Sequence, residues 1–295
     1  MLGLRRGTVA LAPHETAWEE EAARTIARLK EILGGAASDI QHVGSTAVKS
    51  IMAKPIVDIA VATDGFDRVL ALTEPLERAG FFYRPGSLEG QLLFARGSYY
   101  DGTGDLQTHF IHVVKAGGRD WRDYVNFRDC LNANLSLAKE YEALKRSLVR
   151  EAPVDAGRER YLAGKHAFVR RTLQTAALWA MLGRKVHIVV DRPIGYVHKT
   201  GAYETVYPVN YGYLPGVVGG DGEEQDAYLL GVKEPVAEAD AVVIGVVRRL
   251  NDTEDKLIAA PEGVSFTKEQ MEEAVRFQEQ WFGTELLQHG AKKGG

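Results

Sequence analysis

Apolar residues recur at helical spacing between Glu15 and Leu33, where Trp18, Ala22, Ile26, Leu29 and Leu33 share a face and glutamates and arginines fill the gaps. Gly34-Gly35 stops the pattern. A short apolar run, Ile40–Val43, enters Gly44-Ser45-Thr46, and Lys54–Val61 then reads as a strand buried on both faces. The spacing next predicts a helix over Phe66–Ala79 and short strands around Phe81–Tyr83, Gln91–Ala95 and His109–Val114. Long helices follow over Trp121–Val149, broken near Asn132–Leu135, and over Arg158–Met181. The texture changes at Leu182-Gly183-Arg184-Lys185. Val186–Val190, Ala227–Leu230, Ala241–Arg248 and Leu257–Ala260 are β-like runs, and one late helix, Thr267–Phe282, has Ser265 as its expected N-cap. The tail Ala291–Gly295 is expected to fray. The fold class expected is α+β: an α/β domain over residues 1–182, then a mainly β domain with one helix over residues 183–295.

Composition agrees with two domains. A chain of 295 residues with 45% hydrophobic and 26% charged positions is globular, and at roughly 150 residues per domain it holds two cores. No apolar run approaches the ~18 residues of a membrane helix. Arg5 and Arg6 are not followed by an apolar secretory segment, and Cys130 is the single cysteine. The expectation is a cytoplasmic protein with no membrane partner, disulfide or thiolate zinc site. Residues 1–180 carry 24 Lys and Arg against 22 Asp and Glu, whereas residues 181–295 carry 12 against 18. Neither half has the basic excess of a nucleic-acid binder, so none is expected as a partner.

The acidic half concentrates its charge in two places. Gly219-Gly220-Asp221-Gly222-Glu223-Glu224-Gln225-Asp226 sets carboxylates at a glycine turn, and Asn251-Asp252-Thr253-Glu254-Asp255-Lys256 supplies a second acidic group with a lysine attached. Acid clusters with a cation suit metal-assisted phosphate chemistry, because Mg²⁺ takes few carboxylates, keeps waters and bridges phosphate oxygens. Either cluster alone reads more simply as a solvated turn.

Ahead of both lies Tyr207-Pro208-Val209-Asn210-Tyr211-Gly212-Tyr213, and with the Asp221–Asp226 run about eight residues later it resembles the soluble inorganic pyrophosphatases of family I. The resemblance covers roughly residues 185–285 and extends to Lys256 with Leu257-Ile258-Ala259-Ala260-Pro261. It implies a small five-stranded barrel with flanking helices. It makes Asp221, Asp226, Asp252 and Glu254 ligands of Mg²⁺, puts Glu223 where an acid activates the attacking water, and gives Lys256 and Tyr211 to phosphate oxygens. Glu223 and Glu224 depart from the family's Asp and Pro, and the extra methylene of Glu223 shifts the base by about an ångström. Of the family's upstream phosphate-gripping cations, only Arg192 and Lys199 are available, outside any matching motif.

In the first half, His42-Val43-Gly44-Ser45-Thr46 followed by Lys54-Pro55-Ile56-Val57-Asp58 resembles the GrpB-like family, placed among the nucleotidyltransferase folds. Thr108–Val113, Glu140–Lys145 and Tyr161–Phe168 with Lys165 extend the match over roughly residues 5–175. The resemblance implies a nucleotidyltransferase-like α/β fold in which Gly44 and Ser45 open a helix that receives a triphosphate. Asp58 would hold a metal, with His112 as a substitute ligand because Ala60 stands where a second acid is required. The plainer readings are that Ser45 caps a helix, that His42 and His112 are hydrogen-bonded structural residues, that Cys130 is a small core residue, and that Trp121 and Tyr124 pack. The function expected is Mg²⁺-dependent hydrolysis of diphosphate or a related phosphoanhydride by the second domain, with self-association allowed. The alternatives are nucleotidyl transfer coupled to diphosphate removal, and binding of nucleotide or phosphate without turnover.

Overall fold

The computed structural model describes residues 2–151, 157–200 and 203–288; the tail Ala291–Gly295 lies outside them. The chain divides into two compact units, Met1–Arg170 and Arg171–Gly295, so the division falls before the change of texture at 183.

The first unit is built on a five-stranded mixed sheet in the order Asp39–Val43, Val57–Thr63, His109–Lys115, Leu92–Arg96, Phe82–Tyr83, whose one parallel pair is Val57–Thr63 with His109–Lys115. The helix Thr16–Leu33 lays Trp18, Ala22, Leu29 and Leu33 against Val57, Ile59, Val61, Ile111 and Val113. Each of the buried Leu, Val and Ile side chains among them is worth about 1.5–3 kcal/mol when withdrawn from water. Strand alternation sends Asp58 and Ala60, and their register partners Phe110 and His112, to the opposite face. The single helix expected over Phe66–Ala79 is two, Phe66–Leu70 and Thr73–Arg78. Pro75 has no N–H to give to Ala71, so the second helix starts afresh with the proline in its first turn. The expected break after Trp121 is at Asn134, between Arg119–Ala133 and Leu135–Glu151, where the Asn134 carboxamide donates to the Cys130 carbonyl at 2.8 Å. Cys130 is a buried core residue.

In the second unit, Lys185–Arg192, Asn210–Val218, Glu224–Leu229, Lys256–Ala260 and Glu238–Arg249 close into a five-stranded barrel, and Thr284–Leu287 adds to the end of the last. Leu214, Ala227, Leu229, Val243, Leu257 and Ala259 form its core with Leu178 and Leu182. From alternate positions Tyr211, Tyr228 and Ile258 face outwards, where Met271 and Val275 of the helix Lys268–Glu279 cover them. That helix is capped by Thr267, not Ser265, because Thr267 and Gln270 close a reciprocal capping box. The hairpin Val197–Thr200 with Tyr203–Val206 has no counterpart in the sequence pattern.

Buried ion pairs tie the late helix to the barrel. The Arg249 guanidinium donates to both oxygens of Glu279 at 2.9 and 2.7 Å and to Asp252 at 2.9 Å, and it stacks on Phe282. Arg171 and Thr175 likewise hold the buried Asp255. Removing one partner of such a pair strands the other charge. Glu279→Gln is therefore expected to lower stability by ~3 kcal/mol in a denaturant titration, at the low end for buried pairs because Asp252 still holds one nitrogen.

Candidate functional site

On the barrel face, the parallel pairing of Glu224–Leu229 with Lys256–Ala260 sets Asp226 beside Lys256. The Lys256 ammonium donates to Asp226 Oδ2 at 2.5 Å and to Glu254 Oε2, and the Tyr211 hydroxyl donates to the same Asp226 oxygen at 2.6 Å. Tyr211 is only 1% exposed, and burial together with the Asp226 charge pushes its phenol well above the ordinary range. Arg192 lies over the Tyr211 ring and donates to the Tyr207 hydroxyl at 2.9 Å, while Lys199 is paired with Glu204 on the hairpin.

The glycine turn closes on this cluster because it lacks side chains. A Cβ on Gly220 would overlap the Thr253 carbonyl, and one on Gly219 would lie 3.1 Å from Glu254 Oε1, 3.4 Å from Asp221 Oδ1 and 3.5 Å from Gln225 Oε1. Three oxygens thus converge over Gly219. Burial raises the Glu254 carboxyl, Asp226 and Asp221 add to the rise, and Lys256 opposes it. A Mg²⁺ ion that takes one or two carboxylates and keeps its waters fits this donor set. Among the described residues no group of three or more His, Cys, Asp or Glu side chains is spaced to hold a metal ion. The four carboxylates expected to act together are divided. Asp221 and Glu254 face Gly219, Asp226 is held by Lys256 and Tyr211, and Asp252 is drawn to Arg249. Glu223 lies exposed on the turn, where its backbone N–H donates to Asp221.

The second candidate is a cavity of about 630 Å³ in the first unit, on the sheet face opposite the Trp18 core. Asp58 and His112 stand in its wall with Oδ1 and Nε2 3.5 Å apart. His112 Nδ1 lies 3.0 Å from the Tyr124 hydroxyl, which donates onward to Gln91 at 3.2 Å. Tyr124 is therefore part of the site and not only a packing residue; helical spacing alone gave no sign of it. Gly44, at φ +70°, presses on Asp58: a Cβ there would overlap the carboxylate and lie 2.9 Å from the Asp58 Cβ. Ser45 does not open a helix. Ser45–Ala47 is a single 3-10 turn without a side-chain cap, and the Ser45 hydroxyl lies at 3.4 Å from that of Tyr141. Arg6, Lys54, Arg84 and Lys165 line the same cavity, and the sequence pattern marked none of them as site residues.

Two measurements test the packing around Asp58. Gly44→Ala is expected to lower the melting temperature through positive-φ strain and overlap, together about 2 kcal/mol, with partial recovery in the Gly44→Ala/Asp58→Gly double variant. Burial, partly opposed by the Asp58 carboxylate, holds His42 down to about 4 from its ordinary 6.5. The unfolded chain takes up that proton first, so stability should decline as pH falls from about 6.5 towards 4, and His42→Gln should flatten the decline.

No helix among the described residues is long and apolar enough to cross a membrane. An inorganic pyrophosphatase from Neisseria gonorrhoeae aligns at a TM-score of 0.27 and 22% identity over 32% of this chain and 72% of that one, which decides nothing about the barrel. The first unit has firmer relatives. The glutamate-rich protein GrpB of Alkalihalophilus pseudofirmus is 38% identical over 157 residues, 52% of this chain and 89% of that protein. The crystal structure of the conserved protein GrpB from Enterococcus faecalis aligns at a TM-score of 0.51 and 27% identity, covering 57% of this chain and 96% of that one. The family described as GrpB protein matches residues 8–175, more than half of the sequence, and the chain belongs to it.

Proposed function

We propose that the barrel unit hydrolyses inorganic diphosphate or a related phosphoanhydride with Mg²⁺. The observation that carries this reading is the convergence of Asp221, Glu254 and Gln225 over Gly219, directly beside the Asp226–Lys256–Tyr211 cluster. Bound Mg²⁺ supplies positive charge against the phosphate oxygens and acidifies a water. Lys256, shared between Asp226 and Glu254, keeps the two carboxylates together and directs its ammonium towards a phosphate oxygen. Tyr211 fixes the rotamer of Asp226 from beneath. Glu223, on the exposed lip of the turn, accepts the proton of the attacking water.

Phosphate release from diphosphate with Mg²⁺ tests the reading on the full chain. Turnover is expected in the wild type, a loss of about 10²-fold or more in Glu223→Gln, and none in Asp226→Asn. A folded wild-type chain that releases no phosphate at any Mg²⁺ concentration would refute it.

A second reading is favoured by the cavity: the GrpB unit binds a phosphorylated ligand of the nucleotide class beside Gly44, Ser45, Asp58 and His112. Ala60, beside His112 in register, leaves the strand with one carboxylate, which favours binding over metal-dependent nucleotidyl transfer.

A further inference from the structure

We infer that Asp58 Oδ1 and His112 Nε2 form a paired acceptor for the cis-diol of a ribose, which rests on the nucleotide-class reading and names the part of the ligand that is recognised. Hydrogens are what the pair lacks. The Tyr124 hydroxyl has one, and it goes to Gln91 Oε1 at 3.2 Å. At 3.0 Å from the Tyr124 oxygen, His112 Nδ1 is then the donor. A neutral imidazole with its hydrogen on Nδ1 has a bare Nε2. That nitrogen lies 3.5 Å from Asp58 Oδ1, a carboxylate oxygen with no hydrogen to offer.

Two acceptors are thus brought face to face, and neither satisfies the other. Among the described residues, the Asp58 carboxylate receives no hydrogen bond, and its Oδ2 is turned onto Gly44. Both side chains stay open to the cavity, Asp58 at 28% and His112 at 14% exposure. A ligand group that brings two hydrogens satisfies both, and the width of the cleft selects which group. Two straight bonds of about 2.9 Å from a single planar amino nitrogen need acceptors about 5 Å apart. Neighbouring hydroxyls of a cis-diol send out nearly parallel bonds instead, and acceptors 3.5 Å apart take one each.

The surroundings fit a sugar with a planar ring attached. Strand register puts Phe110 beside Asp58 and Leu93 beside His112 on one sheet face, and both line the cavity. A furanose seated on the cleft lays its carbon face on Phe110. The Tyr99 and Tyr100 rings, edge to face at 5.0 Å, extend the aromatic surface, and about 630 Å³ holds a nucleoside monophosphate. The class is a ribonucleoside phosphate recognised through its sugar and bound without a metal. Tyr124 is a positioning residue, which holds the His112 ring in the tautomer that this recognition requires.

Calorimetric titration of the full chain with AMP, GMP, CMP and UMP in the presence of a chelator tests this, followed by the 2′-deoxy, 3′-deoxy and arabino forms of whichever binds. A ribonucleotide is expected to bind, and each altered sugar to bind about 10-fold or more weakly, because an acceptor is left unpaired. In the chain labelled with ¹⁵N-histidine, with His112→Gln assigning the signal, the free His112 ring is expected to show a pyrrole-like Nδ1 and a pyridine-like Nε2 at neutral pH. Tyr124→Phe should move the hydrogen towards Nε2 and erase most of the ribose preference, whereas a merely structural loss would weaken ribo and deoxy forms alike. Should that variant fail to fold, the sugar series and the wild-type spectrum still decide. A ribonucleotide bound no better than its deoxy forms, or dependence on only one of the two hydroxyls, would overturn the inference and leave the nucleotide reading standing. So would a doubly protonated His112 ring, or binding that needs a divalent cation. No binding of any of the four ribonucleotides would end both.

Discussion

Backbone can approach another chain segment closely only where a Cβ is missing, and both candidate sites depend on that. Gly44 lets the strand Asp39–Val43 turn against Asp58 without displacing its carboxylate. Gly219 and Gly220 let an acidic turn press onto Thr253 and Glu254, segments more than thirty residues apart in sequence. Either contact would be lost to a single methyl group, and each brings an acid into a wall it could not otherwise reach.

How the charges are compensated separates the two sites. On the barrel, Lys256 serves Asp226 and Glu254, Arg249 serves Glu279 and Asp252, and Arg171 serves Asp255. Burying an acid without such a partner costs several kcal/mol, so these pairs are conditions for the barrel face to fold. Asp252 is the clearest case, since its acidity is turned towards holding the late helix and away from the glycine turn. Among the described residues that line the cavity, Arg6, Lys54, Arg84 and Lys165 stand with the carboxylate of Asp58.

Much of this was legible in the residues. The period of Trp18, Ala22, Leu29 and Leu33 marked the first helix and its buried face, and the apolar run Ile56–Val61, interrupted only by Asp58, marked a buried strand, because burial imposes a pattern that survives without coordinates. Asp58 was visible as an acid in an apolar strand, the acid-lysine group as clustered charge, and Gly44 and His112 through the family resemblance. Lys54, Arg84, Tyr124 and Lys165 were not. Lys54 and Lys165 stood within matched motifs without a role, Arg84 and Tyr124 carried no site signal, and their shared cavity wall draws on segments from Lys54 to Lys165.

The chain by itself determined the mixed α/β character of the first part and the β character of the second, since periodicity is a local property. Partnership was decided only in three dimensions. Asp226 meets Lys256 through a parallel strand pair, Asp252 meets Arg249 across a tight turn, and His112 meets Asp58 from a neighbouring strand. Each pairing is a matter of register and close approach, and register is set by the packing of whole elements, a quantity that no stretch of sequence contains.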